Sequence, residues 1–200
     1  AIVGGRGDKT ASKTLNRATD TTRQPGSTFK ILAAYSAALD AGGLTLASVQ
    51  DDAPYTYAGA NGKSVNNYDR RYRGFTTLRE AITDSINIVT VKTLAQAGVS
   101  LGWQYVQEYG FTTVDSRDMN EALALGGITQ GVSNLELTAA YAAIANQGTY
   151  IRPKFYTKIL DHDGNVLIDN TTPESHTVIK DTTAWLLTSA MEDVVSKGTG

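Results

Sequence analysis

Apolar and polar positions fall into blocks along these 200 residues, and the blocks predict a series of elements. Ala1-Ile2-Val3-Gly4-Gly5 reads as a strand entering a turn. Residues 6 to 26 are polar, rich in Thr, Arg and Asp, and form a surface loop leading to the Pro25-Gly26 turn. Ile31 to Leu39 is an Ala-rich helix, small enough on most faces to be packed all round, and Gly42-Gly43 ends it. Residues 51 to 74, rich in Tyr, Asn and Gly, read as an irregular excursion. Thr77 and Glu80 make a capping box that opens a helix through Ile82. After Asp84-Ser85-Ile86-Asn87 a second helix runs from Ile88 to Ala97 and stops at Gly98.

Trp103 to Tyr109 predicts another short helix, closed by Gly110, and Asn134 to Ala145 a longer Ala-rich one, closed by Asn146-Gln147-Gly148. Tyr150 to Leu160, the turn Asp161-His162-Asp163-Gly164-Asn165 and Val166 to Ile168 predict a β-hairpin. From Thr182 to Ser196 the apolar positions Leu187, Ala190, Met191, Val194 and Val195 fall on one side of an amphipathic helix.

Composition narrows the function classes. An apolar fraction of 41% and a charged fraction of 19% are those of a folded domain with a real core. The net charge of −2, with acids and bases interspersed, carries no electrostatic footprint for nucleic acid. The longest apolar run, Ile31 to Leu39, is far too short to cross a bilayer, and no signal peptide is evident. With no cysteine, thiol chemistry and thiolate metal sites are excluded. No His/Asp/Glu cluster has metal-ligand spacing, so neither a metal nor another cofactor is expected.

The chemistry-bearing stretch is Gln24-Pro25-Gly26-Ser27-Thr28-Phe29-Lys30. Ser27 and Lys30 lie three residues apart where a helix begins, which places hydroxyl and amine one turn apart on one face. A serine needs such a neighbour because its own pKa leaves almost no alkoxide at neutral pH. The two histidines, His162 and His176, occupy polar, turn-like surroundings, so a lysine is the more natural activator. The helix dipole favours charge developing on the serine oxygen and disfavours a protonated lysine. By itself the spacing is weak, since about half a Ser-x-x-Lys match arises by chance in such a chain. The bland alternative is an ordinary helix start with Ser27 as cap and Lys30 solvated.

Ser85-x-Asn87 is the second candidate. It lies between two helices, where a backbone break can aim both side chains at one point. A hydroxyl there could relay a proton between Lys30 and a leaving group, and a carboxamide could hold both the lysine and a substrate amide. Ser64-Val65-Asn66 has the same spacing but no framing helices, and reads as a coincidence.

The stretches Arg17 to Lys30 and Tyr72 to Asn87, with Leu123-Ala124-Leu125-Gly126-Gly127 and Tyr141 to Gly148, together resemble the transpeptidase domain of class A high-molecular-mass penicillin-binding proteins over nearly the whole chain. The resemblance implies an α+β penicillin-binding/serine β-lactamase-like fold, an antiparallel sheet with a helical lobe. It implies that Ser27 is the acylated nucleophile, Lys30 its general base, and Ser85 and Asn87 the second motif. The implied reaction is D,D-transpeptidation: the serine attacks the carbonyl between two terminal D-alanines of a peptidoglycan stem peptide, and the acyl group passes to an amine of a neighbouring stem. A β-lactam antibiotic would trap the same serine. The family's oxyanion hole uses the nucleophile's own N–H and one from the strand that bears a third motif, Lys-Thr-Gly.

That third motif is missing. Lys197-Gly198-Thr199-Gly200 has a glycine between lysine and threonine and lies at the tail of a predicted helix, with Gly198 as its stop. The family carries a Gly-Thr-Gly at this place, with Lys-Thr-Gly further on. Residues 1–200 are therefore expected to be the N-terminal part of the domain, unstable alone, with the rest of the sheet in a following segment or a separate chain. By resemblance, an upstream glycosyltransferase domain and a membrane anchor would hold the protein on the extracytoplasmic face of the bacterial cell membrane. A serine β-lactamase would share the fold, but none of Glu108, Glu121 and Glu136 is marked as a deacylating carboxylate. A penicillin-recognising sensor domain is the other alternative, and the stretch Arg17 to Gln24 argues against it.

Overall fold

The computed structural model describes residues 7–8, 11–58 and 62–200, so the strand expected at Ala1–Gly5 lies outside the described residues. Strand β1 (Thr22–Arg23) leads to a 3-10 turn at Gly26–Thr28 and a π-helical turn at Ile31–Tyr35, which runs into helix α1 (Ser36–Asp40). Strands β2 (Val49–Asp52), β3 (Tyr55–Thr56), β4 (Ser64–Val65) and β5 (Gly74–Thr77) follow, then helices α2 (Leu78–Thr83), α3 (Asn87–Ala97) and α4 (Val99–Glu108). A 3-10 turn at Glu121–Leu125, strand β6 (Val132–Ser133) and helix α5 (Asn134–Ala145) come next. The chain continues through β7 (Thr149–Ile151), β8 (Lys158–Leu160), β9 (Val166–Asp169), β10 (Ser175–Thr177) and helix α6 (Asp181–Lys197). The strands pair antiparallel in two-stranded ribbons, β1 with β6, β2 with β5, β3 with β4, β7 with β10 and β8 with β9. The result is the expected mixture of helices and antiparallel strands. No helix among the described residues is long and apolar enough to cross a membrane.

The segment Ile31–Ala38 is buried on every side, as its alanine content predicts. It packs against α3 and α4, and α4 comes close because Gly102 has no side chain: a Cβ there would lie 2.5 Å from the Ala33 carbonyl oxygen. The helix is not α-helical throughout. At the junction of the π turn with α1 the Ser36 hydroxyl donates to the Ile31 carbonyl at 2.9 Å and meets the Tyr109 hydroxyl at 2.9 Å. Such π turns are mostly single-turn insertions, frequent at functional sites, and nothing in the residue pattern announces this one.

The run-up to Ser27 is clamped by glycines. Gly126 (φ +73°) ends the 3-10 turn, and a Cβ on it would meet the Gly26 backbone nitrogen and oxygen at 2.6 Å. Gly131 (φ +71°) presses on Arg23 in the same way beside the β1–β6 pairing, and Gln24 Nε2 donates to the Ile128 carbonyl at 3.1 Å. Phe29 is fully buried, edge-on to Phe111 with centroids 5.0 Å apart. The exposed Ser27 is thus carried on a backbone that is held on two sides.

Several expectations need correction. The excursion at residues 51 to 74 contains β3 and β4 and closes into the β2–β5 ribbon, which its polar residues (Gln50, Asp51, Asp52) concealed. The helix expected from Trp103 begins at Val99, because Gly102 serves a close approach and not a break. Tyr150 to Leu160 is two strands, not one arm of a hairpin: β7 pairs with β10, and only β8 pairs with β9 across the turn at His162. Pro153 lies in the irregular stretch between β7 and β8 and has no N–H to donate to a ladder.

Helix α2 opens with the predicted capping box: Thr77 accepts from the Glu80 amide, and the Glu80 carboxylate accepts from the Thr77 amide at 2.9 Å. It ends in a Schellman closure, Ile86 N to Ala81 O at 2.9 Å and Ser85 N to Ile82 O at 3.1 Å. The closure places Ser85 at φ +52°, a conformation that glycine normally supplies. A Cβ there costs about 1–2 kcal/mol, so this strain is retained for a residue with a hydroxyl. The strain has a direct test. Ser85→Gly and Ser85→Ala both remove the hydroxyl and differ only in the Cβ, so thermal melting is expected to place the glycine variant about 1 kcal/mol above the alanine variant. Equal melting would show that the left-handed turn is unstrained.

Candidate active site

Lys30 lies on the first helical turn after Ser27 and points into the joint between α2 and α3. Only 3% of it is exposed. Its ammonium donates to the Ser85 carbonyl oxygen at 2.6 Å, the Ser85 Oγ at 2.9 Å and the Asn87 Oδ1 at 2.6 Å. Three N–H donors meet three oxygens, so a charge that would be costly to bury alone is fully hydrogen-bonded. Burial nevertheless disfavours the charged form and pushes the Lys30 pKa down to about 8. At pH 7 roughly 10% of such a lysine is neutral, against about 0.03% for an unperturbed one, a gain of about 300-fold in available base.

The partners differ in what they can do once the lysine is neutral. The Ser85 carbonyl and Asn87 Oδ1 only accept. Asn87 cannot turn its amide round, because its Nδ2 donates to the Asn66 carbonyl at 2.7 Å. The Ser85 hydroxyl alone can reverse its bond and donate to the lysine nitrogen. Of the three, Ser85 is therefore the one partner through which a proton can pass.

Ser27, Lys30 and Ser85 line one cavity of about 310 Å³, together with Tyr141, Val195 and Thr199. Ser27 is exposed, and its hydroxyl has no hydrogen-bond partner among the described residues. Thr28 beside it is fixed at both ends: its Oγ1 donates to the Pro25 carbonyl at 2.7 Å and its own carbonyl accepts from the Tyr141 hydroxyl at 2.6 Å. Burial pushes the Tyr141 pKa up to about 12, so the phenol stays protonated and acts as a strut, not as a base.

All four sequence candidates therefore fall in one neighbourhood: Ser27, Lys30 and Ser85 on the cavity wall, Asn87 behind them on the lysine. Ser64 is exposed and takes no part, but the strand it begins is not irrelevant, since it delivers Asn66 and Asn67 to Asn87. Lys197 is the last residue of α6, ion-paired with Asp193 at 3.3 Å, and Gly198 packs against the Thr83 carbonyl. Lys197-Gly198-Thr199-Gly200 is thus a helix end and not a strand, although Thr199 reaches the cavity, a contact that its position after a helix stop did not signal. Among the described residues no carboxylate lines the cavity. Glu121 is committed to Tyr55 and the Ala58 amide at 2.8 Å each, Glu136 to Thr112 and Ser133, and Glu108 to His176 at 3.4 Å. His162 lies in its predicted turn beside Asp163.

Comparison with known proteins identifies the family. Residues 2–200 match the family model for the penicillin binding protein transpeptidase domain. Penicillin-binding protein 1F of Bacillus subtilis is 41% identical over 199 residues, covering 100% of this chain and 26% of the relative. Penicillin-binding protein 1A of Neisseria flavescens is 37% identical over 211 residues, covering 100% of this chain and 25% of the relative. The crystal structure of penicillin-binding protein 1A from Haemophilus influenzae superposes with a TM-score of 0.78 at 28% identity, over 92% of this chain and 32% of that one. The chain spans about a quarter of the length of the curated relatives it matches. With the family model, these relatives and the fold in agreement, the chain belongs to the penicillin-binding protein transpeptidase domain family, of the class A kind.

Proposed function

We propose that Ser27 is the nucleophile of a D,D-transpeptidase that cross-links peptidoglycan stem peptides, and that β-lactams acylate the same oxygen. The observation that carries this reading is the buried Lys30, bonded to Ser85 and Asn87 and sharing a cavity with the unpartnered Ser27 hydroxyl. In its neutral form Lys30 takes the Ser27 proton as Oγ attacks the carbonyl carbon between two D-alanines. The C–N bond then breaks, and the proton reaches the leaving amine through the Ser85 hydroxyl. The acyl-enzyme ester is opened by the amine of a second stem peptide, whose proton returns by the same route to restore Ser27. The Ser27 N–H would provide one oxyanion donor and a Lys-Thr-Gly strand, which residues 1–200 do not contain, the other.

A transferase requires the ester to outlive attack by water. Among the described residues the cavity wall carries no carboxylate, which supports that over a β-lactamase using a carboxylate base for rapid deacylation. We further propose that strands outside residues 1–200 complete the sheet. The described strands pair only two by two, which leaves edges that such strands could extend. Action at the extracytoplasmic face of the membrane, an anchor and a glycosyltransferase domain upstream belong to the same reading.

Labelling of the full-length protein with a fluorescent penicillin tests it. The wild type is expected to take the label covalently and release it slowly, and Ser27→Ala to take none. Labelling that survives Ser27→Ala overturns the nucleophile, and release within seconds points to a hydrolase. Because only neutral Lys30 accepts the proton, the acylation rate constant is expected to climb with pH, tenfold per unit below a midpoint near 8, and to level off above it. A profile flat between pH 6 and 9 would exclude Lys30 as the base.

A further inference from the structure

Helix α3, which carries Asn87 in its first turn, has no cap of its own: Ile86 occupies the N-cap position and offers no side-chain acceptor. The acceptor comes instead from 20 residues upstream. Asn67 Oδ1 accepts from the Asn87 amide at 3.0 Å and the Ile88 amide at 3.1 Å. Asn67 is buried, at 5% exposure, and Asp52 beside it is wholly buried. The Asn67 Nδ2 donates to Asp52 Oδ1 at 2.8 Å, Asp52 Oδ2 at 3.0 Å and the Arg71 carbonyl at 2.8 Å. Asp52 is in turn held by the Arg73 amide at 3.0 Å and the Arg73 guanidinium at 3.8 Å.

The chemistry of these partners permits one orientation. A carboxylate and a carbonyl only accept, so the Asn67 NH₂ must face Asp52 and Arg71, which leaves its oxygen for the two amides of α3. Flipped, the amide would set donors against donors at α3 and acceptors against acceptors at Asp52 and Arg71. Asn66, the preceding residue, holds the Asn87 side chain through its carbonyl at 2.7 Å. Asn87 is thus gripped at its backbone by Asn67 and at its side chain by Asn66, and its one remaining oxygen is delivered to Lys30 at 2.6 Å.

We propose that Asn67, oriented by the buried Asp52, is a positioning residue for acylation, which caps α3 and so fixes Asn87 against Lys30. The inference rests on the reading of Ser27 and Lys30 as nucleophile and base, and adds two residues that touch neither substrate nor nucleophile. An ordinary buried network would support the fold alone. This one ends on the lysine, so its loss should reach the chemical step.

The test is a double-mutant cycle on the full-length protein, reading the limiting acylation rate constant at saturating penicillin and the concentration for half-saturation. Asn67→Ala is expected to lower the limiting rate about tenfold with little change in half-saturation, and to have almost no further effect when Asn87 is already alanine. A wild-type rate in Asn67→Ala overturns the proposal. So does a tenfold loss that persists in full on the Asn87→Ala background, which marks a structural fault that does not act through Asn87. Should Asn67→Ala fail to fold, Asp52→Asn reads the same coupling: the rate is expected to fall about threefold, again only while Asn87 is present, and an unchanged rate counts against the proposal. Ser27→Ala run alongside separates the two levels, since label retained there defeats the reading of the site itself, whatever Asn67 does.

Discussion

The ammonium of Lys30 ties together the turn behind Ser27, the left-handed residue that ends α2 and the first turn of α3. Its burial is tolerable because each donor finds an oxygen, and the oxygens are where they are because the joint is strained open to present them. The Ser85 carbonyl faces the lysine only because Ser85 adopts φ +52°, and Asn87 Oδ1 faces it only because Nδ2 is held by Asn66. Remove the lysine and both half-buried acceptors lose the donor that satisfies them.

The features that weaken the fold are the ones that prepare the site. Desolvation disfavours charged Lys30 and at the same time supplies a usable fraction of neutral amine. A serine in place of glycine at the end of α2 costs strain and places the only reversible hydrogen-bond partner against the lysine. Stability is recovered elsewhere, in the buried Ile31–Ala38 segment, in the Phe29–Phe111 contact and in the glycine clamps at Gly126 and Gly131. Those clamps also explain why Ser27 can be exposed without being loose.

Much of this was legible in the residue pattern where local rules govern. The Thr77–Glu80 capping box, the buried Ala-rich helix and the polar break at Asp84–Asn87 each follow from spacing within a few residues, and each is found. The sites of failure share a cause, which is dependence on residues distant in the chain. The helix expected from Trp103 starts at Val99, with Gly102 inside it in close approach to Ala33. The ribbon β2–β5 hides in polar residues because Asp52 turns inward to Asn67, a partner 15 residues away. Ser64-Val65-Asn66 was a coincidence as a motif, yet its neighbour Asn67 proved to be the cap of α3. No local pattern marks a helix whose cap lies 20 residues upstream. The resemblance to a known family located Ser27, Lys30, Ser85 and Asn87, and the structure adds how they are held.

The account stands or falls on the protonation of one amine in a resting site. A titration of Lys30 by NMR, following its ε-carbon shift in protein carrying labelled lysine and assigned with Lys30→Arg, measures that directly. The account predicts a midpoint near pH 8, well below the ordinary lysine value of 10.5. A midpoint near 10.5 would mean that Lys30 remains an ammonium at working pH, a structural tie and not the base that activates Ser27.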